Sequence, residues 1–212
     1  MKLKILAAAS LAANVVLLAV LLTGGDVREE RWRTVEGDSA DLFDGESLEG
    51  WWRLSEQWTV QDGAITCPTS NRIQYLISER IVDRPFRLRY QVLFLERSRS
   101  DGKIVGFVDA AGDNVLVAMD DDAPNTIQID SGRKIFDESG IYGPWKVESD
   151  AGFQIEAGRW YDVVCTVDGS DFTVVAGNVQ LSYPYKPEFP VSIWLEVQRT
   201  GAKFRNLTVE KL

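Results

Sequence analysis

The chain has 212 residues, 45% of them hydrophobic, with a formal net charge of −9 and no histidine. That is enough apolar material for one sizeable core, in one domain with or without an appendage. An acidic surface repels phosphate backbones, so no nucleic acid partner is expected. Without imidazole neither a Ser-His-Asp triad nor the usual zinc sites can be built.

At the N-terminus, Lys2 and Lys4 precede Ile5 to Leu22, a run of 18 mostly apolar residues broken only by Ser10 and Asn14. A bilayer-spanning helix needs about 20 such residues and a signal-peptide core about 7–15, and this run falls between them. The lysines favour a cytoplasmic N-terminus with the bulk of the chain exported. Residues 1–25 therefore read as one hydrophobic helix, either a retained signal anchor or a signal peptide cut near Thr23-Gly24-Gly25. No cysteine stands at the exit of the run, so a lipoprotein anchor is not expected. The implied location is extracytoplasmic, anchored to the cytoplasmic membrane or secreted. Residues 26–40, DVREERWRTVEGDSA, are charged and poor in branched apolar residues, and read as a stalk.

The domain proper is expected over 41–212. It opens on Asp41 to Gly63, DLFDGESLEGWWRLSEQWTVQDG, where large aromatics bracket turn formers. Turns are predicted at Phe43-Asp44-Gly45 and at Gly50-Trp51-Trp52, a strand start at Trp58-Thr59-Val60 and a tight corner at Asp62-Gly63. This is how a sandwich begins when its first strand closes against its last.

Beyond it, Phe86 to Glu96 alternates Phe86, Leu88, Tyr90, Val92 and Phe94 with polar residues, the period of a strand with one buried face. Further strands are predicted at Lys103 to Asp109, Asn114 to Met119 and Thr126 to Asp130. Trp160 to Val167 pairs with Phe172 to Ala176 across Asp168-Gly169-Ser170-Asp171, a hairpin signal. Gly177-Asn178 turns the chain into Val179 to Leu181, and Val191 to Gln198 and Lys203 to Glu210 close it. Short strands separated by polar turns, with no helical period after the stalk, predict an all-β antiparallel β-sandwich or jelly roll. Ile135 to Gly158 reads as a long irregular stretch, and loops of that length are often functional.

Cys67 and Cys165 are the only cysteines. An even pair in an exported chain suggests a disulfide, and a pair of small buried hydrophobes is the alternative.

Several residues are candidates for chemistry. Asp120, Asp121 and Asp122 follow a strand and could supply oxygen ligands to calcium, or form a solvated turn. Trp194 and Glu196 share a strand face, where a ring can stack on a sugar while the acid bonds hydroxyls. Alternation puts Ile193, Leu195 and Val197 inward, so the alternative is that both lie on the solvent face. Asp109 ends a strand, and Tyr142, Trp145 and Trp160 could line a cleft, with core packing the plainer role for Trp160. Asn206-Leu207-Thr208 fits a glycosylation sequon.

The order LFDGESLEGW, WTVQDGAI, FRLRYQVLF, RWYDVVCTVDGSDFTVVAGNVQL and KFRNLTVEKL resembles the 3-keto-disaccharide hydrolase domain family, from Asp41 to Leu212. The resemblance implies a laminin-G or concanavalin-like jelly roll and cleavage of oxidised disaccharides. The chain departs from the family pattern at three places. Asp101-Gly102-Lys103-Ile104 stands for an N-S-G segment, and Asn114 and Val115 stand where a Tyr-Glu pair would be. Gln198-Arg199-Thr200-Gly201 stands where a histidine often lies. Glycoside hydrolysis usually needs two carboxylates about 5–9.5 Å apart, and nothing in the sequence pairs Asp109, Asp120 and Glu196. The first expectation is therefore a membrane-tethered glycan-binding module with carbohydrate as partner and sugar contacts through Tyr142, Trp145, Trp194 and Glu196. The second is a hydrolase of the family's type, and the third a structural surface domain.

Overall fold

The computed structural model describes residues 32–96, 103–120, 126–133, 135–137, 140–142 and 146–212. In chain order the strands are β1 Arg33–Thr34, β2 Ser39–Asp41, β3 Trp51–Arg53, β4 Thr59–Gln61, β5 Ala64–Cys67 and β6 Gln74–Val82. There follow β7 Phe86–Phe94, β8 Lys103–Val108, β9 Asp113–Asp120, β10 Thr126–Arg133, β11 Ile135–Asp137 and β12 Gly140–Tyr142. The last are β13 Lys146–Gly152, β14 Trp160–Val167, β15 Asp171–Ala176, β16 Val179–Pro184, β17 Val191–Val197 and β18 Ala202–Lys211.

Two large sheets pack face to face. The first runs β1-β6-β17-β8-β9-β10-β13, with β3 also on β6; the second runs β16-β15-β14-β7-β18-β5-β4, with β2 also on β18. The pairings are antiparallel except for β1 against β6. The all-β sandwich expected from strand spacing is therefore present, but the expected closure of the first strand on the last is not: β1 pairs with β6, the strand at Thr59–Gln61 pairs with β5, and it is β2 that lies on β18, Thr208 facing Asp41. The N-terminal helix expected over Ile5–Leu22 lies outside the described residues.

Period-two alternation builds the core. Phe86, Leu88, Tyr90, Val92 and Phe94 of β7 are all buried and face Ile193, Leu195 and Val197 of β17 within one apolar cluster. Phe107 of β8 bridges the layers, 5.2 Å from Phe172 and 6.0 Å from Phe86 between ring centroids. Turn chemistry sets the registers. Asp62 and Gly63 both have positive φ (52° and 71°), as a two-residue hairpin turn requires, and Gln61 pairs with Ala64 across them. In the β14–β15 hairpin Asp168 Oδ1 accepts the N–H groups of Ser170 and Asp171, both at 2.8 Å.

Three expectations need correction. The stalk was expected to run to Ala40, yet Arg33–Thr34 and Ser39–Asp41 are already paired in the two sheets and Val35 is buried. Ile135 to Gly158 is not irregular throughout: β11 and β12 pair with each other and β13 pairs with β10. Finally, Cys67 and Cys165 are both free and buried. They sit on β5 and β14 with β18 and β7 between them. Three interstrand steps are about 14 Å, whereas a disulfide needs Cα atoms within about 7 Å. Burial pushes the Cys67 thiol up to about 12 and raises that of Cys165. Each is a small hydrophobe of the core.

Candidate functional site

The outer face of an antiparallel sheet is ordinarily solvated. The first sheet breaks that rule. Its outward residues form a second apolar cluster of Tyr75, Ile77, Val108, Leu116, Ala118 and Trp194, with Trp32, Trp52 and Ile73 half-buried against it. Strand β17 is consequently buried on both sides, and Trp194 and Glu196 are 0% and 1% exposed.

Cross-strand register lays this face out in rows. One row reads Trp52, Ile77, Trp194, Gly106, Leu116, Asp130. In the next, Glu196 faces Tyr75, and Ala118 faces Gln128. Tyr75 and Trp194 meet edge to face, centroids 5.8 Å apart at 72°. Trp194 lies flat across its neighbour strand: a Cβ on Gly106 would overlap the six-membered part of the indole. Three polar side chains, Glu196, Asp130 and Asn114, are also buried on this face. Buried carboxylates and an amide on the same face as an aromatic cluster make a surface that can bond hydroxyls and cover apolar C–H groups.

The candidates from sequence divide accordingly. Trp194 and Glu196 are on the same outward face, as alternation required. Trp194 is nonetheless no exposed platform, because it is fully enclosed; the accessible aromatics are Trp32 and Trp52 at its rim. Sequence reading missed both, although the Trp51-Trp52 pair held the signal. Trp51 turns inward and donates to the Leu42 carbonyl at 2.7 Å, which sends Trp52 outward.

Asp109 is a turn clamp, not a free acid. Its Oδ1 accepts from the Ala111 and Asp113 N–H groups at 3.0 and 2.9 Å, and its Oδ2 from the Glu188 N–H at 3.1 Å. Burial raises its carboxyl above the usual range, against the pull of those N–H groups. Asp109 follows β8 at the β8–β9 turn, whereas Asp120 closes β9 at its far end, so the two stand about 20 Å apart along the strands. Tyr142 pairs with Ile135 at the open end of the β11–β12 hairpin. Trp145, Asp121 and Asp122 lie outside the described residues. Among the described residues no group of three or more His, Cys, Asp or Glu side chains is placed to hold a metal ion.

Two other surface features stand apart from this face. Trp160 is not in the core: it sits on the outer face of the second sheet with the Arg205 guanidinium 4.0 Å above its ring. Arg205 is fixed by Gln91, which also bonds Asp162. A cleft of about 570 Å³ opens where β2 and β3 approach β6, lined chiefly by Arg33, Arg80, Asp41, Asp44, Glu49 and Glu79. Its lining carries charge but no aromatic ring.

Residues 38–210 match the model of the 3-keto-alpha-glucoside-1,2-lyase-like domain. No curated protein matches the chain. Solved structures share the fold. Carbohydrate binding module CBM66 from Bacillus subtilis is 14% identical, with a TM-score of 0.55 over 76% of this chain and 96% of its own. Lectin I-B4 from Griffonia simplicifolia is 11% identical, with a TM-score of 0.61 over 81% of this chain and 98% of its own. The Crh5 transglycosylase in complex with NAG is 8% identical, with a TM-score of 0.58 over 82% and 83%. Identities this low speak to the fold alone.

Gly106 is the position on which the indole depends. Gly106→Ala should displace Trp194 and cost about 1–3 kcal/mol by overpacking, a fall in Tm of about 2–10 °C for a chain this size. A shifted tryptophan emission spectrum should accompany it. A Tm unchanged to within about a degree would mean that the ring does not rest on Gly106.

Proposed function

The chain belongs to the 3-keto-alpha-glucoside-1,2-lyase-like domain family, and we propose that it holds a glycan against the outer face of its first sheet. The observation that carries this reading is the apolar cluster of Trp194, Tyr75, Trp52 and Trp32 on a sheet face that water would otherwise cover, with Glu196 buried beside Tyr75 and with Asn114 and Asp130 buried farther across the same face. A pyranose presents an apolar C–H face and a ring of hydroxyls, and an aromatic rim beside fixed polar groups is complementary to both. In this reading Trp52 and Trp32 stack on the sugar. Trp194 and Tyr75 support them from beneath, and Glu196 orients hydroxyls.

Family membership favours a second reading, cleavage of 3-keto-disaccharides. Cleavage asks for a proton donor and a second group across the bond. Asp109 is committed to its turn, and Asp130 lies three strands from Glu196. Binding without turnover is the reading we prefer. A glycan array identifies the ligand, and Trp52→Ala should then weaken its binding about tenfold, the worth of one anchoring aromatic. Unchanged affinity in that variant would remove Trp52 from the site. Release of reducing sugar from a 3-keto-disaccharide by the wild type, abolished in Glu196→Gln, would replace the binding module with a hydrolase.

We further propose that the domain is displayed outside the cytoplasmic membrane and tethered through Ile5–Leu22. The support is the length of that apolar run and the lysines before it. Protease added to intact spheroplasts should remove the domain, and survival of the full-length chain would contradict the tether.

A further inference from the structure

Buried polar atoms nearly always have a hydrogen-bond partner, and each exception calls for a cause. On the outer face of the first sheet three atoms lack one among the described residues: Asn114 Oδ1, Ser192 Oγ and Trp32 Nε1. Asn114 is 2% exposed, and its amide is already oriented, because Nδ2 donates to the Gly112 carbonyl at 2.7 Å. The carbonyl oxygen of that amide is left without a hydrogen-bond partner.

The register sets two of these atoms in one row. Ser192 on β17 faces Val108 on β8, and Val108 faces Asn114 on β9. Ser192 and Asn114 therefore flank the apolar Val108 side chain, with Cα atoms about 10 Å apart. On the far side of Asn114 stands Gly132, which brings no side chain. Trp32 packs against the same cluster.

We propose that this row is a subsite for a neutral sugar ring, which rests on the reading of this face as a glycan site. The chemistry of the three atoms selects the class. Asn114 Oδ1 requires a donor, Trp32 Nε1 requires an acceptor, and Ser192 Oγ serves as either. A hydroxyl is donor and acceptor at once, whereas a carboxylate or a fully ionised phosphate only accepts. The net charge of −9 also opposes an anion. Val108 between the two polar positions meets the apolar face of the ring. The ring's hydroxyls reach Asn114 on one side and Ser192 on the other, with Trp32 donating from the rim.

The test titrates wild type, Ser192→Ala and Asn114→Leu with methyl α-glycosides of glucose, galactose and mannose, and records Tm in parallel. Ser192→Ala removes a hydroxyl that bonds nothing in the free protein, so its Tm should not fall. Its affinity for the glycoside that the wild type binds should drop about tenfold, as should that of Asn114→Leu. Wild-type binding with unchanged affinity in Ser192→Ala overturns the subsite and leaves the glycan reading standing. No binding of any glycoside by the wild type overturns both. A crystal structure at saturating glycoside with only ordered water between Asn114 and Ser192 also overturns the subsite.

Discussion

The constraint on which this molecule turns is that β17 is buried on both faces. A strand in a two-layer sandwich normally gives one face to the core and one to water. Here Ile193, Leu195 and Val197 fill the interlayer core, while Trp194 and Glu196 are equally enclosed on the other side. Gly106 makes this possible. Without a Cβ on the neighbouring strand, the indole lies down on the sheet and carries Tyr75 at its edge. Removing so large a buried ring would cost about 3–5 kcal/mol, so the second layer belongs to the fold as well as to the site.

The rest of the architecture holds that face in place. The interlayer core, through Phe86, Phe107 and Phe172, fixes the first sheet against the second. Asp109 pins the β8–β9 turn to the Glu188 backbone and so sets the end of the sheet where Val108 and Asn114 stand. Its value as a clamp removes it from the candidates for acid chemistry, since all three hydrogen bonds of its carboxylate come from main-chain N–H groups. The carboxylates that remain are spread across the sheet, which suits many separate contacts to a ligand better than one concerted bond cleavage.

The fold was legible wherever one face of a strand is wet. β7 and β14 announce themselves by alternation, and Asp62-Gly63 and Asp168-Gly169 by turn chemistry. The reading failed where local pattern and tertiary pairing diverge. β6, QYLISERIV, mixes apolar and polar residues and is held by pairing with β1, β3 and β17, and β13 is a largely polar strand held by its partner β10. The cysteines could not be separated by sequence, because strand order, not spacing, sets their distance. At the site, alternation correctly put Trp194 and Glu196 on one outward face. It could not say that an outward face would be apolar and buried, since Trp32, Trp52 and Ile73, which pack against that cluster, come from segments distant in sequence from β17.

The central claim is that this enclosed face, and no other aromatic surface, receives the ligand. The seven tryptophans offer a direct test through their indole N–H resonances, assigned by single substitution to phenylalanine. Addition of a bound saccharide should move the signals of Trp32, Trp52 and Trp194 and leave those of Trp58, in the interlayer core, and Trp160, on the second sheet, in place. Movement of Trp160 with Trp32, Trp52 and Trp194 unchanged would put the ligand on the opposite sheet and contradict the account.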